Sequence, residues 1–61
     1  MSYTVTNTET GEVVDRPSDR VEAVAFLAER FNRYAAVCMV DVADGKRPHD
    51  FDRYLTIRKD S

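Results

Sequence analysis

Tryptophan is absent from this chain, cysteine and histidine occur once each, and the 61 residues include only two glycines and two prolines. A single cysteine, Cys38, excludes an intrachain disulfide. With His49 it also falls short of the roughly four Cys or His ligands that a structural zinc takes. Gly11 and Gly45, the only glycines, cannot form the glycine-rich loop that cradles a phosphate. No apolar run approaches the roughly 20 residues of a membrane span, and the N-terminus lacks a basic-then-apolar signal pattern. We therefore expect a cytoplasmic chain with a reduced thiol and no membrane partner.

An excess of one charge is also missing. Nine basic residues stand against eleven acidic ones, a formal net of -2. Residues 1–36 hold four arginines and six acids, and the remainder is balanced. Nucleic-acid domains present a basic stripe that displaces counterions, so this interleaving argues against generic nucleic-acid binding. The length sets a further bound. A single domain over residues 1–61 buries only about 60% of its unfolded surface, and chains of this size usually add disulfides, a metal or a partner subunit. With the first two disfavoured, self-association is the expected supplement.

What is present reads as a small α+β domain. Tyr3 to Asp15 has β-branched alternation interrupted by Thr8-Glu9-Thr10-Gly11, a hairpin in which Gly11 supplies a positive φ. Asp15-Arg16-Pro17 ends the ladder, because proline cannot donate to it. Ser18 or Asp19 caps a helix predicted to reach about Ala36, with Asp19 and Glu22 at capping-box spacing. Val21, Val24, Leu27, Ala28, Phe31, Tyr34 and Ala35 form its inner stripe. Val37 to Val42 lacks helical periodicity and reads as a third strand, Asp44-Gly45 as a turn, and Lys46 to Asp50 as a loop. Phe51, Arg53, Leu55 and Ile57 alternate with Asp52, Tyr54, Thr56 and Arg58 in a fourth strand. The expectation is a two-layer ββαββ domain, one helix on one face of a four-stranded antiparallel sheet.

Two surfaces exceed what such a core needs. Phe26 falls about 160° from the centre of the inner stripe and should face solvent, ringed by Glu22, Glu29, Arg30 and Arg33. This resembles an interface anchor with a polar rim, although an arginine stacked on the ring would also account for it. The expected third strand is apolar on both faces, Val37 and Met39 on one side and Cys38, Val40 and Val42 on the other. One helix covers only one of them, and Tyr54 would add aromatic area to the open side.

Chemistry finds less support. In His49-Asp50-Phe51-Asp52 an extended segment turns His49 away from the two carboxylates, so solvated loop polarity is the simpler account. Cys38 in an apolar run reads as inert core, and Asp41 and Asp44 lack the spacing of a calcium loop. The chain is expected to be no enzyme and to need no cofactor or small-molecule substrate. The favoured expectation is a non-catalytic protein-interaction module, self-associating as a homodimer or occupying a partner's surface through Phe26, Arg30, Arg33, Val37, Met39 and Tyr54. The composition is compatible with small accessory proteins of phages or mobile elements that modulate a host protein. The alternative is a nucleic-acid-binding regulator that uses Lys46, Arg47, Arg53, Arg58 and Lys59.

Overall fold

The computed structural model describes residues 2–48 and 53–60. Strands β1 (Ser2–Asn7) and β2 (Val13–Asp15) lead into helices α1 (Arg20–Arg30) and α2 (Arg33–Ala43), and strand β3 (Leu55–Asp60) follows. The strands form a three-stranded antiparallel sheet in the order β2-β1-β3. The expected ββαββ domain, with four strands and one helix, is thereby corrected to ββααβ with two helices.

The N-terminal hairpin forms as its residues dictate. The Asn7 side chain accepts from the backbone N–H groups of Glu9 and Thr10, and Gly11, at φ 79°, donates back to the Asn7 carbonyl. An irregularity between Val5 and Thr6 leaves Val14 as the extra residue of a β-bulge, since Val5 pairs with Asp15 and Thr6 with Val13. Pro17 ends β2 as expected, and its carbonyl accepts from Tyr3 N.

Asn32 is the reason for the second helix. Its backbone is extended (φ -158°, ψ 172°), and its side chain accepts from Ala35 N at 2.8 Å, so it caps a new helix two residues after Arg30. The run expected to be a strand is therefore helical from Arg33 to Ala43. Ala36, Met39, Val40 and Ala43 recur at spacings of three and four and meet the core. Three valines had suggested a pleated surface, but their β-preference is small beside the burial that this helix achieves. The apolar run needs no second cover, because Ala35, Ala36, Cys38, Met39 and Val40 are all buried. Asp44 and then Gly45, at φ 81°, close the helix.

β3 begins at Leu55 rather than Phe51, and residues 49–52 lie outside the described residues. Leu55 and Ile57 still face inward, as the alternation predicted. Val5 pairs with Ile57 and Asn7 with Leu55, so β1 and β3 present one apolar face to the helices. The core is Tyr3, Val5, Ala23, Leu27, Ala36, Met39, Val40, Leu55 and Ile57. Thr4 is buried on the other side of β1, where its hydroxyl donates to the Asp60 carboxylate.

Candidate functional site

α1 and α2 form an antiparallel helical hairpin because the link between them is only Phe31-Asn32 and their far ends are tied. Arg20, at the start of α1, donates from Nη2 to Asp41 Oδ1 (2.7 Å) and from Nη1 to Asp44 Oδ2 (2.8 Å) at the end of α2. Tyr3 Oη donates to the other oxygen of Asp44 at 2.8 Å. Burial pushes the Asp44 carboxyl up, but the Tyr3 and Arg20 hydrogen bonds, with the charges of Lys59 and Arg20, hold it below the usual carboxylate range. The Tyr3 phenol is raised, first by burial and then by the bond to Asp44 and its charge. Arg20 is raised chiefly by its bond to Asp41.

A cleft of about 380 Å³ opens beside this network, lined by Tyr3, Asp19, Arg20, Asp44, Lys46 and Lys59. Its charges are mixed, two acids against three bases, and Tyr3, Arg20 and Asp44 at its floor are already satisfied by one another. Among the described residues every buried side-chain polar atom has a partner, and no group of three His, Cys, Asp or Glu is arranged to hold a metal. The network therefore reads as a clamp joining β1, α1 and α2.

The solvent side of the helical hairpin has a different character. A groove of about 350 Å³ runs between the helices, lined by Val21, Val24 and Ala25 of α1, by Val37 of α2, and by Arg20 and Arg33 at its ends. Val21 is 77% exposed, and Tyr34, three residues before Val37 on the same side of α2, is 76% exposed. These are the most exposed large apolar side chains among the described residues. Glu29, exposed and outside the groove lining, follows Ala25 by one helical turn on α1. Among the described residues neither Glu29 nor Arg33 has a side-chain partner.

Of the residues expected to bind a partner, the groove includes Arg33 and Val37. Phe26 lies elsewhere: it is half-buried against the core, with the Arg30 guanidinium 3.7 Å from its ring centroid. The expectation that it faces solvent is corrected. Treating 18–36 as one helix averaged the stripes of two, whereas α1 alone buries Ala23 and Leu27 and leaves Val21 outside. Met39 is buried in the core, and Tyr54 packs its ring 5.3 Å from Phe31.

The basic residues of the alternative reading do not share one face. Lys46 and Lys59 line the mixed-charge cleft. Arg58 pairs with Thr4, on the side of the sheet away from the helices. Arg53 lies over Phe31 at the opposite end of β3, and Arg47 is in the exposed segment after α2. Cys38 is a buried thiol on α2, while His49 lies outside the described residues.

Sequence reasoning missed the groove because it missed the helix break. The available signal was Asn32, a strong N-cap residue standing three before Ala35-Ala36. Among the described residues no helix is long and apolar enough to cross a membrane. No family model, curated protein or solved structure matches this chain.

Proposed function

We propose that this chain is a non-catalytic protein-interaction module whose docking surface is the groove face of α1 and α2. The supporting observation is the coincidence on one face of Val21 and Tyr34, both about three-quarters exposed, with an apolar groove that has arginines at its ends. An aromatic and aliphatic centre with a charged rim is the usual composition of a protein interface, in which tyrosine and arginine are enriched. The module acts in the cytoplasm by occupying a partner's surface. Its own polar clusters are closed on themselves, which leaves the apolar face as the surface with binding energy to contribute.

A photoreactive phenylalanine analogue placed at position 21 in the producing cell tests this reading. Discrete protein adducts are expected from position 21, with few from a control at Thr56 on the far side of the sheet. No adducts at position 21, or equal yields from both positions, would overturn it.

A further inference from the structure

We infer that the occupant of the groove face is a second copy of the same chain, the two helical hairpins stacking face to face into a four-helix layer. The inference rests on reading that face as a protein-docking surface and adds the identity of the partner. Its basis is self-complementarity. The Arg20 bonds to Asp41 and Asp44 set the start of α1 level with the end of α2. The two-residue link sets Glu29 level with Arg33 at the other end. In a pair related by a two-fold axis along the helices, α1 of one copy lies over α2 of the other at the same height.

Glu29 of each copy then faces Arg33 of the other, twice per dimer, and these are two side chains that find no partner within the described part of their own chain. Both charge pairs lie at the link end, and from there toward the other end Ala25 and Val24 of each copy lie over Val37 of its mate, with the exposed Val21 beyond them. Opposite charges at the link end and apolar groups along the rest also give the arrangement its register.

The size of the face sets the expected strength. A stable interface buries about 800 Å² per partner, roughly a fifth of the 4089 Å² that this chain exposes. Each helix of 11 residues is only about 16 Å long. Two such helices side by side fall short of the standard interface, so the dimer is a weak and reversible one. It would nevertheless supply support that a chain with one buried free cysteine cannot draw from a disulfide.

Sedimentation equilibrium of the full chain, together with charge reversals, tests the inference. The wild type should pass from monomer to dimer between about 10 µM and 1 mM. Glu29→Arg and Arg33→Glu should each weaken the dimer about tenfold or more by setting like charges together, and the double variant should recover to within about threefold of wild type. Both positions are exposed, so circular dichroism should show an unchanged fold.

A monomer at every concentration, or a dimer indifferent to the reversals, overturns the inference. The adducts at position 21 separate this failure from that of the docking surface itself. Adducts of twice the chain mass support the second copy. Adducts of another mass alone refute it while keeping the surface, and no adducts remove both.

Discussion

Tyr3 Oη and Asp44 Oδ1 meet at 2.8 Å across 41 positions of sequence, joining the central strand to the end of the second helix. Arg20 reaches the other oxygen of the same carboxylate, so one side chain ties three elements together. Tyr3→Phe keeps the ring in the core and removes only the donor. It should cost about 1–2 kcal/mol, each kcal/mol lowering the melting midpoint by about 4–8 °C in a domain of this size. A double-mutant cycle with Asp44→Asn should give a coupling above about 0.5 kcal/mol, and strictly additive losses would show that the bond contributes nothing to stability.

Arg20 spans two carboxylates with two nitrogens of one planar group, a geometry that a lysine cannot reproduce. Arg20→Met should destabilise by about 1–3 kcal/mol, because it leaves the Asp44 carboxylate with Tyr3 as its only side-chain donor among the described residues and with little access to water. Arg20→Lys should restore only part of that loss. Denaturant midpoints for the two variants check this, and full recovery by lysine would mean that charge alone matters.

The same network predicts a stability plateau with two edges. Asp44 has a lowered pKa in the folded chain, so its contribution is complete above the ordinary aspartate value of about 3.9 and fades as pH falls through the lower folded value. Tyr3 has a raised pKa, so its contribution is complete below about 10 and fades as pH rises through the higher folded value. Tyr3→Phe should remove the tyrosine's part of the alkaline edge. Unfolding titrations of both chains from pH 3 to pH 11 measure it.

Asn32→Ala should cost about 1 kcal/mol through loss of the α2 cap, and Asn32→Asp should cost only a few tenths. Hydrogen exchange resolved to residues locates the effect, with the amide of Ala35 expected to lose most protection. Uniform loss across both helices would instead mean that the cap is coupled to the whole fold.

Phe26 and Val21 should respond in opposite ways. Phe26→Ala removes a ring that is half-buried against the core and should cost about 2–3 kcal/mol of stability. Val21→Ala should stay within about 0.5 kcal/mol in dilute solution, since its side chain faces water there. Chemical denaturation at low micromolar concentration compares them directly.

The sequence was most legible where local chemistry decides the backbone. Gly11 and the Asn7 to Glu12 turn, the Asp19 cap over Glu22, the stop at Pro17 and the inward alternation of Leu55 and Ile57 all depend on residues a few positions apart. The middle of the chain was less legible. Val37 to Val42 has residues that suit a strand, and only the Asn32 cap and the burial reached by packing on β1 and β3 make it a helix. That one misreading propagated. It placed Val37 and Met39 on an open sheet, turned Val21 and Tyr34 inward, and turned Phe26 outward. Arg33 and Val37 remained near the exposed groove, although for a different structural reason from the one that had selected them. The Tyr3-Arg20-Asp44 clamp joins positions too distant for any local pattern to pair.

Ser2 and Asp60 are partners in the β1–β3 ladder, so the two ends of the described chain emerge side by side. Paired residues in an antiparallel ladder stand about 4.5–5.5 Å apart, a gap that a short peptide could bridge. The backbone is thus close to a closed loop, and a circular permutant opened within Thr8 to Thr10 should retain the same sheet order. Any tag or second domain attached at either position would leave from one corner of the sheet, beside the cleft that Tyr3 and Lys59 line with Arg20.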